Sequence, residues 1–146
     1  MEMDQLYTEL ILEHNQDKRN KRLLDVFTVS EHGHNPSCGD DLTLQLDVAD
    51  GVVKDAAYTG SGCAISQASA SMMIDIIKGK SVTEAFRLVD IFLGMIKKEV
   101  TDEAELEELE DAIALQNISN MPARVKCAVL AWHTLKEALK KEESHS

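Results

Sequence analysis

The stretch Leu42-Thr43-Leu44-Gln45-Leu46-Asp47-Val48 alternates apolar and polar residues without a break, and Ala49-Asp50-Gly51-Val52 follows it directly. Side chains along a strand point to opposite faces in turn, so the apolar set lies on one buried face. Asp50-Gly51 is a tight-hairpin signal, because both central residues of such a turn take positive φ. Val52 to Thr59 then returns as an antiparallel partner whose alternation is less clean. Upstream, Val26 to Val29 reads as a short strand, and together these segments imply a small antiparallel sheet.

The rest of the chain has helical spacing. Residues 3–17 form an amphipathic helix with Leu6, Leu10, Ile11 and His14 on one face. The basic stretch Lys18-Arg19-Asn20-Lys21-Arg22 after it is expected to be solvated surface. From Ala64 the residues Ile65, Ala68, Ser69, Met72, Met73, Ile76 and Ile77 recur with helical period until Gly79, a stop signal. Cys63 therefore lies at or just before a helix start. A further helix opens after Ser81, with Glu84 three residues on as a capping-box partner and Val82, Ala85, Phe86, Val89, Phe92 and Leu93 on its packed face.

Residues 99–111 carry eight acidic side chains around Leu106 and Leu109, with Ile113 beyond, and are expected to form an acidic surface helix. Pro122 suits the first turn of a last helix, with Val125, Val129, Trp132 and Leu139 as its buried stripe. The tail from Lys140 to Ser146 is expected to fray.

At 146 residues with 44% apolar content the chain is expected to fold as a single domain, 1–146, without staples. Its 26 acidic against 15 basic residues give a net charge of -11. That balance excludes binding along a phosphate backbone, which needs clustered Lys and Arg, so no nucleic-acid partner is expected. The opening Met1-Glu2-Met3-Asp4 lacks the basic residues and apolar run of a signal peptide, and no stretch has the length of a membrane span. A cytoplasmic location with no membrane association follows as an expectation.

In the reducing cytoplasm, three cysteines are suited to metal binding or reaction rather than to a disulfide. Cys38 stands in Asn35-Pro36-Ser37-Cys38-Gly39-Asp40, Cys63 in Gly60-Ser61-Gly62-Cys63, and Cys127 in Arg124-Val125-Lys126-Cys127. Their separations of 25 and 64 residues lack the paired knuckles of a zinc ribbon. Their settings point further than their spacing: a loop before a strand, the end of a second strand, and an early turn of a helix, which can converge at one end of a sheet. Thiolates with one carboxylate make a four-ligand site for zinc or ferrous iron, and Asp40 is the preferred fourth ligand. His32, His34 and His133 are rivals for that place. Each cysteine also has a plainer reading as a small buried hydrophobe, strongest for Cys127 beside Ala128-Val129. Arg124 and Lys126 can stabilise a thiolate or hold the Asp40 carboxylate.

Cys38-Gly39-Asp40, Gly62-Cys63-Ala64-Ile65-Ser66 with Ala68-Ser69-Ala70-Ser71-Met72-Met73, and Pro122-Ala123-Arg124-Val125-Lys126-Cys127-Ala128, in that order, resemble the SufU branch of the IscU/NifU-like iron-sulfur cluster assembly proteins. The early segment Leu6-Tyr7 through Ile11-Leu12-Glu13-His14 resembles that family's first helix. Two departures separate the chain from the IscU branch. Lys126 stands where IscU-type scaffolds carry a histidine before the third cysteine, and Met121-Pro122-Ala123-Arg124-Val125-Lys126 replaces their Leu-Pro-Pro-Val-Lys chaperone segment. A helical insertion at about 80–120, roughly 20 residues longer than in that branch, marks the SufU type and is the kind of surface addition a fold tolerates.

The resemblance implies an α+β fold of the SufE/NifU-like kind, with a three-stranded antiparallel sheet covered by helices. It implies metal ligation by Cys38, Asp40, Cys63 and Cys127, with Arg124 and Lys126 beside the ligands. It implies a zinc-dependent sulfurtransferase, working with a PLP-dependent SufS-type cysteine desulfurase rather than as a stand-alone enzyme, with Cys38 as sulfur acceptor and downstream Suf assembly proteins as recipients. The alternative is a scaffold that binds Fe2+ and assembles a [2Fe-2S] cluster. A structural zinc adaptor that docks partners through its acidic segment is a third reading.

Overall fold

The computed structural model describes residues 3–36 and 39–145. Three antiparallel strands, β1 (Val29–Asn35), β2 (Asp40–Ala49) and β3 (Val52–Ser61), lie in the order β1-β2-β3. The expected alternation in β2 fills the core with Leu42, Leu44, Leu46 and Val48, all buried. At the hairpin, Asp50 has φ 55° and Gly51 φ 74°, the paired positive values that Asp-Gly accommodates best. Leu44 faces Tyr58 and Leu46 faces Ala56 across it.

The strand expected at Val26 to Val29 is instead β1, which begins at Val29. Residues 21–28 cross the other face of the sheet. Lys21 bridges to Tyr58 on β3, the Leu24 N–H donates to Gln45 Oε1 on β2 at 2.8 Å, and the Thr28 N–H donates to the Leu46 carbonyl at 2.8 Å. Leu24 covers Gln45, which is buried although it sits on the polar side of the alternation. Val26 and Phe27, apolar enough to suggest a strand, are 69% and 46% exposed.

Five α-helices complete the fold: α1 (Met3–Gln16), α2 (Ala64–Ile77), α3 (Val82–Ile96), α4 (Glu103–Glu107) and α5 (Pro122–His145). The Ser81 hydroxyl accepts from the Glu84 N–H at 3.0 Å, the expected N-cap of α3. Helix α5 packs along β1, and α2 and α3 pack on α5. Trp132 stacks on Phe92 with ring centroids 4.1 Å apart, and its indole N–H donates to Ser69 Oγ at 3.0 Å. Ser69 in turn donates to the Ala128 carbonyl at 2.6 Å, so one buried hydroxyl fastens α2 to α5. The α5 tail does not fray as expected. It continues to His145, anchored where Lys141 Nζ meets Glu31 on β1 at 2.6 Å.

The acidic segment also differs from expectation. In place of one surface helix there is a five-residue α4 and then a 3-10 helix over Glu110–Asn120. Leu106, Leu109, Ala112, Leu115 and Ile118 recur every third residue, and all are buried. A three-residue period lines up one face of a 3-10 helix but drifts around an α-helix. Glu110, at φ 50°, marks the change.

The basic stretch after α1 is not plain solvated surface. Asn20 is 1% exposed and donates to Asp75 Oδ1 at 2.8 Å, Arg19 pairs with Asp75 at 2.5 Å, and Arg22 pairs with Asp55 at 2.9 Å. These bonds pin the crossing segment to α2 and β3. Among the described residues, no helix is long and apolar enough to cross a membrane.

Candidate metal centre

Asp40 opens β2, Cys63 follows the end of β3, and Cys127 lies in the second turn of α5. The hairpin brings the first two together, because Asp41 pairs with Ser61 across β2 and β3. Packing of α5 on α2 supplies the third. One carboxylate oxygen and the two sulfurs all lie within 4.8 Å of one another. Cys38, the remaining expected ligand, lies outside the described residues.

The cluster is built from inside outward. Cys63 is the N-cap of α2, and the Ser66 N–H donates to its Sγ at 3.4 Å. Free backbone N–H groups and the positive end of the helix dipole face that sulfur. Asp40 is fully buried. Its Oδ1 accepts from the Cys63 N–H at 2.9 Å and lies 3.2 Å from the Ser66 hydroxyl. Its Oδ2 is buried and has no hydrogen-bond partner among the described residues. A buried carboxylate oxygen without a donor carries a large desolvation cost, which a cation beside it removes. The donor set therefore fits a metal: two thiols and a half-satisfied carboxylate match zinc or ferrous iron, and one further ligand would complete four.

Gly62 makes the close approach possible. A Cβ there would stand 2.6 Å from both Asp40 Oδ1 and Ser66 Oγ. None of the rival histidines joins the described cluster. His32 is exposed and pairs with Asp41 at 2.8 Å, and His34 stacks on His32 with centroids 6.2 Å apart. His133 is exposed on α5.

Cys63 and Cys127 open onto a cleft of about 520 Å³ whose other walls are Tyr7, Thr8, Ile11, Leu12, Ala64, Ile65 and Arg124. Arg124 is exposed at its edge and forms no ion pair among the described residues. Lys126 is exposed on α5 and does not line the cleft. The Tyr7 hydroxyl is buried and meets no group in full hydrogen-bonding geometry among the described residues. Burial raises the Tyr7 pKa above its ordinary value, although Arg124 beside it pulls the other way, so the phenol keeps its proton at neutral pH.

Two residues, Asn15 and His14, hold helix α1 to this corner. Asn15 Nδ2 donates to the Ala64 carbonyl at 2.9 Å, one residue past Cys63. His14 Nδ1 meets Ser71 Oγ at 2.8 Å, and its Nε2 meets Asp111 Oδ2 at 3.2 Å. Sequence reasoning missed Ser66 and Tyr7 as parts of the site. Ser66 had a signal, being three residues after a helix-capping residue, whereas nothing in sequence ties Tyr7 to cysteines on other elements.

Residues 6–145 match the NifU-like N terminal domain. The chain belongs to this family. It is 50% identical over 136 residues to the iron-sulfur cluster assembly scaffold protein IscU of Thermotoga maritima, covering 93% of this chain and 94% of that one. It is 42% identical over 142 residues to the zinc-dependent sulfurtransferase SufU of Bacillus subtilis, covering 97% and 94%. The crystal structure of FiSufU, of the SUF system of Fervidobacterium islandicum, superposes with a TM-score of 0.85 at 35% identity, over 92% of this chain and 97% of that one. The α+β fold expected from the sequence, with its helix-covered three-stranded sheet, is the fold of this family.

Proposed function

We propose that this chain is a zinc-dependent sulfur relay of iron-sulfur cluster assembly. It takes persulfide sulfur from a PLP-dependent SufS-type cysteine desulfurase and passes it to the assembly proteins downstream. The observation that carries the reading is the convergence of Asp40, Cys63 and Cys127, with one buried carboxylate oxygen left without a partner among the described residues. The 42% identity to a zinc-dependent sulfurtransferase supports it.

The proposed ligands are Cys38, Asp40, Cys63 and Cys127. Zinc, when bound, keeps thiols deprotonated at neutral pH and ties the three segments together. Cys38 is the proposed acceptor. Its thiolate attacks the terminal sulfur of the desulfurase persulfide, a new S–S bond forms as the old one breaks, and the desulfurase cysteine leaves as a thiolate. No external oxidant or reductant is needed. Asp40 is held by the Cys63 N–H and Ser66, so its carboxylate keeps its orientation while Cys38 exchanges with the partner. Arg124 supplies positive charge beside the thiols.

Desulfurase turnover, followed as alanine or sulfide release, should rise on adding wild-type protein and should not rise with Cys38→Ala. Equal stimulation by Cys38→Ala would overturn the acceptor assignment. Metal analysis of freshly purified protein should find about one zinc per chain, as a four-ligand thiolate-rich site holds it.

The alternative, a scaffold on which a [2Fe-2S] cluster is assembled, is favoured by the 50% identity to a protein named as an IscU scaffold. On that reading iron and sulfide are cargo. Anaerobic reconstitution would then give a visible absorption band that persists through gel filtration and passes to an apo-ferredoxin.

A further inference from the structure

We infer that the cleft beside the thiols is a subsite for a small persulfide bearing a carboxylate, with Arg124 holding the carboxylate and Cys63 receiving the terminal sulfur. The inference rests on the relay reading and adds a low-molecular-weight donor to the protein donor. Three observations carry it. First, the cleft of about 520 Å³ has room for a ligand of cysteine size, and Ile11, Leu12 and Ile65 offer apolar wall to a short methylene chain. Second, Arg124 is a cation with no ion-pair partner among the described residues, in a chain of net charge -11 where the other two arginines near α1 are both paired. A guanidinium receives a carboxylate through two parallel N–H bonds. The buried Tyr7 phenol lies beside it and limits where that guanidinium can rest.

Third, Cys63 is the more accessible of the two described thiols, half-buried where Cys127 is buried, and it sits at the start of α2. The exchange balances without a further reagent. The Cys63 thiolate attacks the outer sulfur of R–S–SH, the protein gains an S–S bond, the bond between R–S and that sulfur breaks, and R–S⁻ leaves as a thiolate while the hydrogen stays on the transferred sulfur.

The test compares persulfides of 3-mercaptopropionate and cysteamine, which have the same two-carbon chain and opposite end charges. Each is mixed with the zinc-loaded protein, and sulfane sulfur is located by alkylation and peptide mass spectrometry. The acidic chain as a whole favours the cationic donor, so a preference for the anion must come from the cleft. The expected result is sulfane sulfur on Cys63, about tenfold more from the carboxylate donor, with Arg124→Gln bringing the two donors level. Equal labelling by both donors in the wild type, or labelling only at other cysteines, would overturn the subsite. If neither small donor labels the protein while a desulfurase does, the subsite falls and the relay stands. If no donor of either kind delivers sulfur, both fall.

Discussion

Asp40 is fully buried, with one oxygen served by Cys63 and Ser66 and the other by nothing among the described residues. That asymmetry predicts the effect of replacing it. Asp40→Ala should release most of the bound zinc, measured by a colorimetric chelator, while far-UV circular dichroism stays native. Gly62→Ala tests the same corner from the other side: its methyl group would strike Asp40 Oδ1 and Ser66 Oγ, so zinc retention should fall although no ligand has changed. Asp75 gives a prediction in pH. Burial opposes its ionised form, but Arg19 and Asn20 outweigh burial and hold its carboxyl below the usual range. A depressed folded-state pKa contributes stability that is present above the unfolded value near 3.8 and is lost as pH falls through the folded value. Asp75→Asn should therefore be less stable near neutral pH and show a flatter loss of stability below about pH 4, followed by urea unfolding across that range.

At the scale of elements, the segment after α3 is the clearest case of a periodic signal. The acidic residues of 99–111, with Leu106, Leu109 and Ile113 as a narrow apolar stripe, suggest an exposed α-helix, whereas the buried residues from Leu106 to Ile118 recur every third position. Within the 3-10 helix the buried side decides the geometry, because Ala112, Leu115 and Ile118 share one face at three residues per turn. Leu115→Ala should cost about 2–5 kcal/mol, read as a lower midpoint in chemical denaturation. Asp111 ties the same segment to His14 on α1, so Asp111→Ala should loosen that contact and raise hydrogen exchange in both elements. The crossing at 21–28 had no comparable signal. Its exposed Val26 and Phe27 look like a strand, and its course is set by backbone bonds to residues more than 15 positions away.

Across the whole molecule, one buried apolar cluster joins the sheet to α1, α2, α3, the 3-10 helix and α5. The candidate centre sits at one end of the sheet, opposite the Asp50-Gly51 hairpin. A core of this extent does not depend on the metal for its formation, unlike that of a zinc finger. Chelation should therefore leave far-UV circular dichroism near native and lower the Tm. Cooperative unfolding on metal removal would favour the structural-adaptor reading over the relay.

The sequence by itself determined the hairpin, the positions of α2, α3 and α5, the cap residue Ser81 and the place of Cys63 at a helix start, because each depends on residues close together in the chain. Periodicity, turn chemistry and capping are local physics. Tertiary structure alone decided that Asp40 keeps one oxygen unserved, that Ser66 holds the other, that Tyr7 stands beside Arg124, and that residues 21–28 cross the sheet. Those facts depend on which distant surfaces meet when the apolar faces are buried, and a local pattern carries no information about that meeting.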